Sequence, residues 1–157
     1  MVCGGGSPNS TLLYRLLTNG MPDFNFPTAA IGTLKVLAIA YQPDGRLLIG
    51  GAFSAVRGQP RNRIARLNAD GTLDTTFNPG TGADSDVNAL ALLPDGRIYA
   101  GGSFMNFNGV PHRKLVRLLP DGSVDVTFNV QFNGNGAVVS LITDGFGRVY
   151  ASGSFTN

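Results

Sequence analysis

The chain has 157 residues, of which 43% are hydrophobic and 14% charged, so it is long enough for one globular domain and too apolar for a disordered one. Its formal net charge is +2 and its arginines are dispersed, which argues against a nucleic-acid partner. The one cysteine excludes an intrachain disulfide, and no apolar run approaches the roughly 20 residues of a membrane-spanning helix.

Residues 1–10 are predicted to be an irregular N-terminal segment without a recognisable signal peptide. Residues 11–35 are the second half of a repeat whose first half is missing. Within them, Tyr14-Arg15-Leu16 corresponds to residues 65–67 and again to residues 116–118, with a lag of 51.

Residues 36–86 form the first complete unit. It opens with a strand that is apolar on both faces, which indicates cover on both faces, and then turns at Pro43-Asp44-Gly45. The glycine of this turn supplies a positive φ. The rest of the unit is predicted in this order: a strand at 47–53, a polar loop at 54–62, a strand at 63–68, a turn at 70–71, a strand at 72–77 and a connector at 78–86.

Residues 87–137 repeat this pattern, and 20 of the 51 positions are identical between the two units. Residues 138–157 correspond to the first half of a third unit. This half has Asp144-Gly145-Phe146-Gly147 instead of the Pro-Asp-Gly turn, and Ser152-Gly153 where the other units have two glycines.

A repeat of 51 residues built from four short antiparallel strands has the size of one β-propeller blade. The sequence therefore predicts an all-β protein with three blade equivalents, which is a partial propeller. The Ala-rich first strand suits the innermost position, where space near the axis is narrow. Known propellers have about 4 to 8 blades, so we expect further blades, either from a longer chain of which this is a fragment or from a second subunit that completes a six-bladed ring.

The recurring motifs resemble the delta-60 repeat, a bacterial β-propeller family of unknown function, and more distantly the kelch repeat. In the second unit the resemblance is carried by Pro94-Asp95-Gly96-Arg97, Gly101-Gly102-Ser103-Phe104, Gly109-Val110-Pro111, Arg117-Leu118, Asp121-Gly122-Ser123-Val124-Asp125 and Thr127-Phe128-Asn129. The resemblance implies a propeller within a larger secreted or cell-surface protein. It implies no activity, so no catalytic, cofactor-binding or metal-binding residue is assigned and no cofactor is expected.

His112 is the only histidine, and its place in a polar inter-strand loop predicts a solvent-exposed side chain without a second ligand to share a metal. The aspartates that precede glycines in the turns are Asp44, Asp70, Asp95 and Asp121, and backbone hydrogen bonding explains them without a metal. The connector Asp84-Ser85-Asp86 offers oxygen ligands, but it lacks the glycine and the distal glutamate of an EF-hand.

Two recurring features predict structural roles. An arginine is followed eight residues later by an aspartate in every unit, in the pairs Arg15 and Asp23, Arg66 and Asp74, and Arg117 and Asp125. We interpret them as ion pairs or turn anchors, and equivalent aspartates should then behave alike when mutated. Gly101-Gly102 indicates a close approach between blades.

The leading functional hypothesis is a non-enzymatic propeller module that serves as a structural or protein-interaction platform. The first alternative is a lectin-like, carbohydrate-binding propeller, for which Phe53, Phe104 and Phe155 are candidate aromatic faces, although they fit a core role better. The second is an enzyme with its site at the axial mouth, for which the loop residues Arg57, Asn108 and His112 would have to share one cavity.

Overall fold

A computed structural model describes residues 2–5, 11–26, 29–30 and 35–156. These residues contain strands and turns and no helix, so none of them forms a helix that could cross a membrane. The strands in chain order are β1 (Val2–Gly5), β2 (Thr11–Tyr14), β3 (Ala29–Ala30), β4 (Val36–Tyr41), β5 (Leu47–Gly51), β6 (Ala55–Val56), β7 (Gln59–Pro60), β8 (Ile64–Leu67), β9 (Val87–Leu92), β10 (Ile98–Gly102), β11 (Asn106–Phe107), β12 (Val110–Pro111), β13 (Leu115–Leu118), β14 (Val138–Thr143) and β15 (Val149–Gly153).

The two complete units form equivalent antiparallel sheets, β4-β5-β8 in the first blade (residues 36–86) and β9-β10-β13 in the second blade (residues 87–137). The register repeats as well as the order. Ile49 pairs with Ile39 and Ala65, and the residue 51 positions later pairs with the two equivalent neighbours. The third blade (residues 138–157) contributes the ribbon β14-β15. The predicted all-β propeller architecture is confirmed.

The fourth strand of each blade differs from its prediction. Residues 72–77 pair with β8 at a single bridge, where Leu73 lies opposite Leu67, and Val124 bridges Leu118 in the second blade. The chain turns immediately afterwards because the Asp74 carboxylate accepts hydrogen bonds from the backbone N–H and the hydroxyl of Thr76. This side-chain competition ends the ladder after one bridge.

Two further segments differ from the sequence prediction. The polar loop at 54–62 and its counterpart in the second blade fold into the short ribbons β6-β7 and β11-β12, each anchored by one fully buried side chain, Val56 or Phe107. Residues 2–5, predicted as irregular, form strand β1 and pair with β2. Residues 6–10 of the same predicted segment lie outside the described residues.

The core lies between blades. Leu48 and Ile64 of the first blade pack in one cluster with Val87 and Ile98 of the second. The innermost strands β4, β9 and β14 contact one another along this stack, as expected for strands nearest the axis. Burial of apolar area between sheets is therefore the main term that stabilises the arrangement.

The glycine before each bulge makes the close stacking possible. A Cβ on Gly50 would lie 2.7 Å from Val87 of the next blade, and one on Gly101 would lie 2.5 Å from Val138. The predicted close approach between blades is confirmed. The second glycine of each pair has a different reason, since a Cβ on Gly102 would meet the backbone carbonyl of Asp86, the residue directly before the paired strand β9.

Candidate functional site

The recurring arginines and aspartates form the predicted ion pairs. The Nε atoms of Arg66 and Arg117 donate to the carboxylates of Asp74 and Asp125 at 2.8 Å. Arg15 donates to Asp23 in the same way at 2.8 Å in the N-terminal half-blade. The same geometry in three successive repeats indicates a structural role.

Asp74 and Asp125 are both buried carboxylates. Burial by itself raises the pKa of Asp74, but hydrogen bonds from Thr76 and Arg66 outweigh it and lower the pKa to about 2. For Asp125 the hydrogen bond from Thr127 is the largest cause and also lowers the pKa. Both side chains are therefore charged throughout the physiological range.

Arg66 also links two blades. Its Nη1 atom donates to the carbonyl oxygen of Pro120 in the second blade at 2.5 Å, and its guanidinium lies 4.9 Å from the ring centre of Phe77. Arg117 stacks on Phe128 in the same way, at 4.7 Å. The charged residues that recur in the repeat are thus engaged within and between blades.

The turn aspartates have the role predicted for them. The carboxylate of Asp95 accepts a hydrogen bond from the Arg97 backbone N–H at 3.0 Å, and Gly96 follows with φ of 86°. The third blade has the same kind of turn, but its aspartate, Asp144, lies two positions before the position equivalent to Asp95. There Asp144 accepts from the backbone N–H groups of Phe146 and Arg148. No group of three metal-ligating side chains occurs within the described ranges.

A cavity of about 420 Å³ opens where the first-strand turns of all three blades meet. Three equivalent positions contribute different side chains to its wall, namely Gln42, Leu93 and Asp144. The Oε1 atom of Gln42 is buried and has no hydrogen-bond partner among the described residues. Arg148 donates to Asp144 at 2.5 Å and, against the raising effect of burial, lowers its pKa. The cavity is therefore an apolar cleft whose carboxylate is already paired.

The prediction that His112 is exposed is wrong, because its side chain is only 7% exposed. The ribbon β11-β12 folds against its blade and places the imidazole in the wall of a cavity of about 340 Å³ beside Val126 and Phe128. Burial lowers the pKa of His112, and its Nδ1 atom has no partner in the described part of the chain. The neutral imidazole is favoured in this surrounding.

The structure does not bring the three loop residues considered for an axial enzyme site together at the cavity beside His112. The cavity at His112 is lined by neither Arg57 nor Asn108. Asn108 instead accepts a hydrogen bond from the Thr81 backbone N–H at 3.0 Å, which ties its ribbon to the preceding connector. Arg57 has a positive φ of 52° at the equivalent place in the first blade.

The phenylalanines considered for carbohydrate stacking belong to the core. Phe53 and Phe104 are fully buried and offer no ring face to a sugar. Phe155 is half-buried, and its ring stacks on Phe132 with the centroids 4.1 Å apart. The prediction that these phenylalanines are core residues is confirmed for Phe53 and Phe104.

A surface that is covered in the first two blades is open in the third. Leu48 and Tyr99 are at equivalent positions and are 0% and 3% exposed, whereas their counterpart Tyr150 is 53% exposed. Ala91 is 7% exposed and its counterpart Ile142 is 65% exposed. In the second blade, Leu141 and Val149 of the third blade pack against the cluster that contains Ala91 and Tyr99. We call the exposed surface formed by Ile142, Tyr150 and Ser152 the end face.

Ser152 distinguishes the end face from its two counterparts. It occupies the position of Gly50 and Gly101, where a Cβ would contact a valine of the next blade at 2.7 or 2.5 Å. The substitution was visible in the sequence, but its meaning depends on the distance between blades.

These features define a segment of β-propeller blades stacked around apolar interfaces. Residues 42–77 and 93–128 match the family described as "Domain of unknown function (DUF5122) beta-propeller". The two matched segments begin and end at equivalent positions, 51 residues apart, and so correspond to one repeat motif in each complete blade. A comparison with curated proteins finds no match to this chain.

Proposed function

We propose that this protein is a non-enzymatic β-propeller module that serves as a structural and protein-interaction platform. The observation that carries the proposal is the contrast between its polar and apolar residues. The recurring charges are engaged in turns and blade contacts, while the end face presents apolar side chains whose counterparts are covered in the other blades: those of Tyr150 are buried in both, and those of Ile142 are buried in the second and partly buried in the first. A surface of this kind is typical of an interaction site.

The proposed occupant of the end face is a further blade of the same repeat. Two blade interfaces within the chain use this same surface, and in each the next blade provides an aliphatic cluster that covers it. The Cβ of Ser152 conflicts with a valine at the position of Val87 and Val138. The blade that covers the end face should therefore carry a residue smaller than valine there, or should stack at a wider spacing.

Self-association of the 157-residue chain tests this proposal, because a second copy is the sheet available to cover the end face in solution. We expect sedimentation equilibrium to show concentration-dependent association. Ile142→Lys should weaken association about tenfold, since burial of an isoleucine contributes about 1.5–3 kcal/mol. Ser152→Gly should strengthen it by removing the Cβ that holds a valine-bearing blade away.

Val126→Lys is the matched control, because Val126 is 84% exposed and lies in the outer loop of the second blade. It should leave association unchanged. A wild-type chain that stays monomeric at about 100 μM, or a control that weakens association as much as Ile142→Lys, would contradict the proposed use of the end face.

We also propose an extracellular or cell-surface location, as implied by the resemblance of the repeat to the delta-60 family. The support is the motif pattern alone. Fractionation of the native host with an antibody against the chain would test it, and recovery in the cytoplasmic fraction would contradict it.

A further inference from the structure

Lys114 is a buried cation at the cleft between the second and third blades. Its side chain is 1% exposed, and its Nζ atom donates to the carbonyl oxygen of Gly134 at 2.7 Å. The other contact is the sulfur of Met105 at 4.0 Å, which is a weak acceptor. An ammonium group has three donors, and buried lysines are rare unless they are paired. No ion pair between Lys114 and a carboxylate occurs within the described ranges.

The equivalent cation of the first blade does have a carboxylate beside it. Arg63 lies 51 positions before Lys114 and shares its unusual backbone, with φ of 66° against 71°. The Nη1 atom of Arg63 lies 3.9 Å from a carboxylate oxygen of Asp86. The same place in the fold therefore holds a cation and an anion at the interface between the first and second blades.

The second blade keeps the cation and loses the carboxylate that pairs with it. The connector Asp84-Ser85-Asp86 is replaced, at equivalent positions, by Asn135-Gly136-Ala137. Asp86 thus becomes Ala137, whose methyl group leaves the space of a carboxylate empty. Retention of a buried positive charge without its counter-ion is costly unless a ligand supplies the negative charge.

This space is part of a cavity of about 510 Å³ that Lys114 lines. The other lining residues are Ser103, Met105, Gly134, Asn135, Gly136, Ala137 and Ser154, none of which is acidic. The Oγ of Ser103 accepts a weak hydrogen bond from Asn88, and the Oγ of Ser154 accepts one from the backbone N–H of Ala137. Both hydroxyls accept in these contacts, so each can donate its own proton to an anion.

We propose that the cleft between the second and third blades binds a carboxylate group, held by the Lys114 ammonium and the hydroxyls of Ser103 and Ser154. The ligand replaces the carboxylate that Asp86 provides to Arg63 one blade earlier. It comes either from a small organic acid or from an aspartate side chain of a partner protein. The proposal is independent of the end face, which lies on the opposite side of the third blade's sheet from its contact with the second.

The test is an NMR titration of the ¹⁵N-labelled chain with sodium acetate, referenced to sodium chloride at equal ionic strength. We expect saturable shifts of the backbone signals of Ser103 and of residues 134–137. A second titration with N-acetyl-aspartyl N-methylamide distinguishes the sources. Binding of acetate alone indicates a small acid, whereas binding of both indicates an aspartate side chain.

Three variants make the test specific. Lys114→Met should weaken acetate binding at least about tenfold, because it removes the charge-assisted hydrogen bond to the carboxylate. Ala137→Asp should abolish saturable binding by providing the carboxylate internally, and it gives this answer even if Lys114→Met does not fold. Arg63→Met is the matched control, since it removes the equivalent cation one blade away, and it should leave acetate affinity within about twofold of wild type.

The proposal is overturned if acetate produces the same unsaturable shifts as chloride. It is equally overturned if the Ala137→Asp chain binds acetate as tightly as wild type, because the carboxylate site would then lie elsewhere.

Discussion

The substitution Asp74→Asn probes the ion pair of the first blade, whose arginine also contacts the second blade. Asparagine preserves the volume of the side chain and removes its charge, which leaves the guanidinium of Arg66 buried without a carboxylate. The Arg66 side chain is 5% exposed, so water cannot take the place of the lost partner. The variant should therefore lose more stability than a surface ion pair would contribute.

The magnitude follows from two estimates. A pKa lowered from 3.8 to about 2 corresponds to roughly 2 kcal/mol of stability at neutral pH. Removal of one member of a buried pair costs about 3–5 kcal/mol, because the other charge stays buried. We expect Asp74→Asn to lower the free energy of unfolding by about 3 kcal/mol.

The pH dependence has a definite sign. Since the folded-state pKa of Asp74 is depressed, its contribution is complete above pH about 4, where the unfolded carboxyl is also ionised. It is lost as the pH falls through about 2, where the folded-state carboxyl becomes protonated. The difference between wild type and Asp74→Asn should shrink across this window.

Urea denaturation followed by far-ultraviolet circular dichroism, at pH 7 and at steps down to pH 2, measures both effects. Asp125→Asn is the matched variant, and it should cost about half as much. Arg117, the partner of Asp125, has a side chain that is 15% exposed, so water can reach it more easily than Arg66. The Nη1 atom of Arg117 contacts Tyr99 of the same blade at 3.4 Å, whereas that of Arg66 contacts the next blade. This result would correct the expectation that equivalent aspartates behave alike. A loss below about 1 kcal/mol for Asp74→Asn at pH 7, or a difference at pH 2 as large as that at pH 7, would refute the reasoning.

Three further substitutions and one control substitution test other parts of the fold by thermal denaturation. Gly96→Val should cost about 1–3 kcal/mol because a β-branched residue is strained at φ of 86°, and an unchanged melting temperature would contradict the turn. Gly101→Ala should cost about 2 kcal/mol by forcing a methyl group onto Val138, whereas Gly145→Ala, which has open space around it, should be nearly neutral. His112→Leu should make the stability of the fold less sensitive to acid. Because burial lowers the pKa of His112, wild type should lose stability as the pH falls below about 6.5, and a variant equally sensitive between pH 7 and 5 would contradict the buried, neutral imidazole.

Local patterns were readable wherever the responsible residues lie close together in the chain. The Arg66 and Asp74 pair is eight residues apart across one turn, and Asp95 reaches its own backbone two residues on. Features that depend on another part of the fold were missed. His112 is buried because a ribbon folds over its blade, and the single bridge at Leu73 reflects a side chain that competes with the ladder.

The amino-acid sequence by itself determined the repeat, the all-β class, the turns and the ion pairs, because each depends on residue types at fixed, short spacings. The tertiary structure decided which of three equivalent residues is buried, since burial depends on whether another blade lies against the sheet. Tyr99 and Tyr150 have the same place in the repeat, yet one is enclosed and the other faces solvent. The importance of Lys114 was also decided by the tertiary structure. The missing negative counter-charge is recognised only when the cavity beside Ala137 is compared with the contact between Arg63 and Asp86.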